Sequence, residues 1–76
     1  MLPRLPSISG EKAIKALQNA GWAIKSREGS HVKLVKPGSP KTIIVPVHKG
    51  ESIDRGLLFA IIKHAELSVD EFMELL

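Results

Sequence analysis

The chain contains no cysteine. That excludes disulfides, thiolate zinc sites and cysteine nucleophiles. Small secreted domains usually offset a thin core with disulfide bridges, so their absence points to a reducing, cytoplasmic setting. Long hydrophobic runs are missing too. The longest strictly apolar stretch, Leu57 to Ile62, falls far short of the roughly 20 residues a membrane-spanning helix needs. The leading Met1-Leu2-Pro3-Arg4-Leu5-Pro6 has two prolines and no apolar core of the kind a signal peptide carries. No membrane partner is therefore expected. Nothing repeats, no segment is of low complexity, and no linker is long enough to divide the chain, so residues 1–76 read as one domain.

A chain of 76 residues has a thin core and no room for a deep cleft. Any chemistry must happen on a surface, with few residues, or on a polymer lying across it. The formal charge of +3 and a pI near 9.5 favour an anionic partner, though only weakly. The position of the charges says more.

Ser9 to Ala20 reads as a helix. Ser9 supplies an N-cap, Ala13, Ile14, Ala16, Leu17 and Ala20 form an apolar stripe, and Gly21 stands where a C′ glycine ends a helix. Pro3 and Pro6 keep the leader extended. Three strand-like runs follow: Trp22 to Arg27, His31 to Lys36 and Lys41 to Val47. Glu28-Gly29-Ser30 and Pro37-Gly38-Ser39-Pro40 mark the turns between them. A second helix runs from about Asp54 to Ala65, with Leu57, Leu58, Ile61, Ile62 and Ala65 on its apolar side. A short last helix opens at Ser68, where Ser68-Val69-Asp70-Glu71 has the pattern of a capping box. The order α-β-β-β-α defines an α+β domain: a three-stranded antiparallel sheet with helices packed on one face and the other face free.

Strand alternation indicates what the free face carries. A four-residue second loop, Pro37 to Pro40, pairs Leu34 with Ile43, Val32 with Val45 and His31 with Pro46. A three-residue first loop, Glu28 to Ser30, pairs Arg27 with His31, Lys25 with Lys33 and Ile24 with Leu34. One face then collects Trp22, Ile24, Val32, Leu34, Ile43, Val45 and Val47 as core. The other collects Lys25, Arg27, His31, Lys33, Val35, Thr42, Ile44 and, if the third strand runs on, His48. In that case His48 would lie diagonal to His31, roughly 7–8 Å away. Such a face is either a solvated surface that discourages edge pairing or a phosphate-tracking surface with an imidazole in its middle.

Gly29-Ser30-His31 brings in a family. Taken with Leu5-Pro6-Ser7-Ile8-Ser9-Gly10, Ala20-Gly21-Trp22, Val32-Lys33-Leu34, Val45-Pro46-Val47-His48, Gly56-Leu57-Leu58 and Leu67-Ser68-Val69-Asp70-Glu71-Phe72, it resembles the HicA toxins of HicA–HicB toxin–antitoxin pairs. The resemblance spans nearly the whole chain. It implies a fold like that of the double-stranded-RNA-binding domain. It implies a metal-independent ribonuclease that cleaves mRNA with a histidine just after Gly-Ser, which is His31 here. It also implies a HicB-like antitoxin that covers this histidine. Two departures stand out. Ser26 occupies a position where the family often has arginine. Lys63-His64-Ala65-Glu66-Leu67-Ser68 stands where the family is richer in arginine and ends Ala-Gly-Leu-Ser, which implies a weaker electrostatic grip on RNA.

The chemistry is compatible with so small a domain. RNA supplies its own nucleophile, the 2′-OH, and no cofactor or metal is expected. His31 is the candidate general base. Lys25, Arg27 and Lys33 are candidates for holding phosphate, Gly29 and Ser30 for close approach of the chain, and His48 and Lys49 for further RNA contacts. His64 near a helix end suits the helix dipole, and Trp22 suits the core. Two other functions fit the same residues: a non-catalytic RNA binder that recognises A-form shape, and a protein-interaction module that docks an acidic partner.

Overall fold

A computed structural model describes residues 5–76; the expectation for Pro3 lies outside them. The order is α1 (Gly10–Asn19), β1 (Ala23–Glu28), β2 (His31–Val35), β3 (Thr42–Pro46), α2 (Arg55–His64) and α3 (Val69–Glu74). The strands form one antiparallel sheet in the order β1-β2-β3. The α1 helix lies against β1 and β3, α2 against β3, and α3 against α2. The α+β reading from sequence holds, with the helices packed on one face of an open sheet.

Each helix begins where its cap residue dictates. The Ser9 hydroxyl accepts from the Lys12 N–H at 3.2 Å, and the Asp54 carboxylate accepts from the Leu57 N–H at 3.2 Å. The capping box at Ser68 is complete. Ser68 Oγ accepts from the Glu71 N–H, and the Glu71 carboxylate accepts from the Ser68 N–H at 2.9 Å. That backbone donor holds the Glu71 carboxyl below its ordinary range.

Packing is driven by apolar burial. Val32, Leu34, Ile43 and Val45 fill the sheet side of the core, and Ala13, Ile14, Ala16, Leu17, Leu58, Ile61, Ile62 and Ala65 fill the helix side. Leu5, Ile8, Trp22, Ile53 and Phe72 complete it. The leader is tied in by an Ile53 N–H to Ile8 carbonyl bond of 2.8 Å, and the C-terminal end by Asn19 Nδ2 donating to the Leu75 carbonyl at 2.9 Å.

Two core expectations need correction. Ile24 is 42% exposed, because β1 is an outer strand that contributes no buried side chain of its own. Leu57 is 40% exposed, because the buried stripe of α2 runs 58, 61, 62, 65 and turns position 57 outward.

Two backbone positions set limits. Gly10 is buried at the start of α1, and a Cβ there would collide with the Pro46 carbonyl oxygen and crowd Val47. At the other end of the fold, α2 stops in a Schellman motif. The Glu66 N–H reaches the Lys63 carbonyl at 3.0 Å, and the Leu67 N–H reaches the Ile62 carbonyl at 3.2 Å. The C′ residue of that motif, Glu66, has φ of 62°, a left-handed conformation that favours glycine. The family's glycine in Ala-Gly-Leu-Ser falls at this position, so the departure noted in the sequence carries a backbone cost.

Glu66→Gly should therefore raise stability by about 1 kcal/mol, since its surface ion pair with Lys41, at 3.6 Å, contributes little in return. Gly10→Ala should lower it by about 1–3 kcal/mol through overpacking. Thermal melts of the two variants should move in opposite directions from wild type. A Gly10→Ala melt at the wild-type temperature would show that α1 is free to shift off β3.

Candidate functional site on the open sheet face

The site begins with a two-residue turn. Gly29, at φ 58°, and Ser30 connect β1 to β2, so Glu28 pairs with His31. Glycine at the first of two turn positions is what a type II′ hairpin requires. No protein atom lies within 4 Å of where a Gly29 Cβ would stand, so the turn is open to solvent.

This turn corrects the first-hairpin register. Glu28 pairs with His31, Arg27 with Val32 and Ser26 with Lys33; Ile24 then pairs with Leu34, as expected. The mismatch is absorbed by a bulge between Ile24 and Ser26, where Lys25 is the extra residue. The faces change accordingly. Arg27, opposite the fully buried Val32, belongs to the helix side of the sheet, where it lies exposed beyond the core's cover. Glu28 and Ser26 take the open-face positions beside His31 and Lys33. The second hairpin matches expectation throughout: His31 pairs with Pro46, Val32 with Val45, Lys33 with Ile44 and Leu34 with Ile43.

A shallow concavity of about 270 Å³ forms on the open face, lined by Ser26, Glu28, His31, Lys33 and Ile44. His31 and Lys33 stand two residues apart on β2, which sets their side chains about 7 Å apart along the strand. Both are exposed, and among the described residues no hydrogen bond engages the His31 imidazole. The floor is apolar Ile44, half exposed. The arrangement offers a free proton acceptor, an ammonium group and one carboxylate to a ligand lying flat across the sheet.

Other candidates lie elsewhere. β3 ends at Pro46, so His48 does not continue the open face. It starts a turn closed by the Glu51 N–H on the His48 carbonyl at 3.0 Å, with Lys49 and Gly50 at its tip. His48 and Lys49 are exposed, and neither lines the concavity. Lys25, on the bulge, is exposed and also outside the lining. The Ser30 carbonyl accepts from the Val47 N–H at 2.6 Å, which fixes the start of β2 against the end of β3. His64 lies in a separate groove beside β3. Among the described residues no cluster of His, Asp and Glu could hold a metal ion, and no helix is long and apolar enough to cross a membrane.

Ser26, Glu28 and Ile44 were not singled out as site residues. The signal for the first two was present, because Gly-Ser is a dipeptide that closes a two-residue hairpin, and that turn length alone moves both to the open face.

Taken together, this is a small α+β domain that presents an imidazole and an ammonium group on the uncovered face of an antiparallel sheet. The family model of the HicA toxin of bacterial toxin-antitoxin matches residues 10–67, and the chain belongs to that family. It is therefore the toxin member of a toxin–antitoxin system. No curated protein matches the chain.

The corrected register makes a prediction about charge. Lys33→Ala should weaken binding of a short single-stranded RNA more than Arg27→Ala does. Glu28→Gln should strengthen it several-fold at low salt by removing a carboxylate beside His31. Fluorescence anisotropy on the three variants checks the order. Equal losses for Lys33→Ala and Arg27→Ala would show that both cations share one face in solution.

Proposed function

We propose that the protein is a metal-independent endoribonuclease that cleaves mRNA, with His31 as general base. The observation that carries this reading is the free His31 imidazole beside Lys33 on an open face, in a chain of the HicA toxin family. His31 takes the proton of an RNA 2′-OH. The 2′ oxygen bonds to the adjacent phosphorus, the bond from phosphorus to the 5′ oxygen breaks, and that oxygen takes a proton from solvent. The products are a 2′,3′-cyclic phosphate and a 5′-OH. Lys33 offsets the charge gathering on the non-bridging oxygens. Lys25, Lys49, His48 and the Gly29-Ser30 backbone guide the flanking strand, while Arg27 contributes only long-range attraction from the far side of the sheet.

A half-open concavity of about 270 Å³ on a sheet face suits a strand lying across it better than a fully enclosed small molecule. The cognate partner in this reading is a HicB-like antitoxin that covers His31, and both act in the cytoplasm.

End-labelled single-stranded RNA incubated in EDTA tests the proposal. Wild type should cut it to 2′,3′-cyclic phosphate ends, and a folded His31→Ala variant should be slower by about 10²–10⁴-fold. Equal cleavage by both proteins would remove His31 from the chemistry. Cleavage by neither would leave a binding module.

A further inference from the structure

The sheet has two outer edges, and they are built differently. β1 is interrupted by the Lys25 bulge and carries Lys25 and Arg27, features that discourage a further strand from pairing. β3 reads Thr42-Ile43-Ile44-Val45-Pro46, uncharged and β-branched until its last residue. The Val47 N–H bonds to the Ser30 carbonyl, and bonded and non-bonded pairs alternate along an antiparallel ladder. Val45 and Ile43 therefore spend their backbone groups on β2, and those of Thr42 and Ile44 point away from the sheet.

Beside this edge runs a groove of about 200 Å³ lined by Thr42, Ile43, Ile44, Ala60, Ile61 and His64. Ile44 lines both this groove and the His31 concavity, so the two are neighbours across the β3 edge. The segment that builds β2 and this edge is basic. No Asp or Glu occurs between His31 and Lys49, a stretch that carries His31, Lys33, Lys36, Lys41 and His48. The Glu66 carboxylate on this side is already engaged by Lys41.

We propose that the β3 edge accepts an extended segment of a partner protein as a fourth strand, one in which apolar and carboxylate side chains alternate. Its backbone pairs with the outward groups of Thr42 and Ile44. Its apolar side chains enter the groove against Ala60 and Ile61. Its carboxylates fall on the open face, next to Ile44 and within reach of Lys33 and His31. A second copy of this chain fits less well, because β3 against β3 brings like charges at Lys41 and His64 together and supplies no carboxylate. In a toxin, a carboxylate at that place occupies the phosphate position. That inhibitory consequence alone rests on the ribonuclease reading.

The test uses two synthetic decapeptides, one alternating valine with glutamate and one alternating valine with lysine, titrated into the isotope-labelled protein. The glutamate peptide should shift the amides of Thr42, Ile44, Ala60 and His64 and slow hydrogen exchange at Thr42 and Ile44. Thr42→Pro removes one outward N–H at an edge position where proline is tolerated. It should weaken the peptide by about tenfold and leave RNA cleavage intact. Lys33→Glu should weaken the glutamate peptide and admit the lysine one, because the charged side chains fall on its face of the sheet. In His31→Ala the glutamate peptide should still shift and protect Thr42 and Ile44, since the backbone pairing and the groove do not involve the imidazole. Shifts centred on β1, no response to Thr42→Pro and Lys33→Glu, equal binding of both peptides, or the same protection of Thr42 and Ile44 by an RNA oligonucleotide would each overturn the proposal. A wild type that binds the peptide yet leaves RNA uncut would sink only the ribonuclease reading.

Discussion

Burying one face of the sheet dictates what the other face can be. Val32, Leu34, Ile43 and Val45 are each no more than 2% exposed, and burial of such side chains is worth about 1.5–3 kcal/mol apiece. Their positions are thereby fixed, and the pleat sends His31, Lys33 and Ile44 to the opposite side. A slip of one residue in β2 would bury Lys33 and expose Leu34, a cost no local turn preference could offset. In so small a chain the functional face is held in place by the core behind it, with hardly a polar contact of its own.

The first hairpin shows the same constraint in competition with another. Gly29-Ser30 favours a two-residue turn, which on its own would carry β1 one step out of phase with the core pattern. The bulge at Lys25 resolves the conflict by restoring Ile24 opposite Leu34 after the open-face residues have been set by the turn. The extra residue is affordable because β1 is an outer strand with no buried side chain. The same bulge in β2 would break two ladders at once. Site geometry at the turn is thus governed by turn chemistry, and core geometry farther along the strand by burial.

That division explains what could be read from the sequence. The helices, their caps at Ser9 and Ser68, the strand order and the whole β2–β3 register follow from periodicity and turn residues, since each is a local pattern reinforced by burial. The placement of His31 and Lys33 on the open face follows from the same arithmetic. Arg27 was assigned to that face because an unbroken three-residue loop was assumed, and alternation cannot reveal a bulge. Leu57 and Ile24 read as core because an apolar residue near a stripe resembles part of it; Ile24 stays exposed on an outer strand that buries no side chain, and Leu57 is turned outward by the phase of α2. Phe72, fully buried, was hidden from any sheet-based count because it reaches the core from α3. Glu66 is different in kind. Its unusual φ was legible only through the resemblance to a family that places glycine there.

The redistribution of charge changes the direction from which an anion approaches. With Arg27 turned away and Glu28 opposite His31, the β1 side of the concavity carries a carboxylate, whereas the β2–β3 hairpin carries only cations and histidines. Lys33 is the ammonium group of the concavity, and Glu28 opposes entry of an anion from the β1 side. A phosphate drawn to His31 and a partner carboxylate carried on an added strand would use the same side and the same ammonium group. If both proposals hold, competition between RNA and such a strand would need no conformational change in the toxin. It would follow from one sheet having a basic hairpin, an undefended outer edge and an acidic residue across the turn.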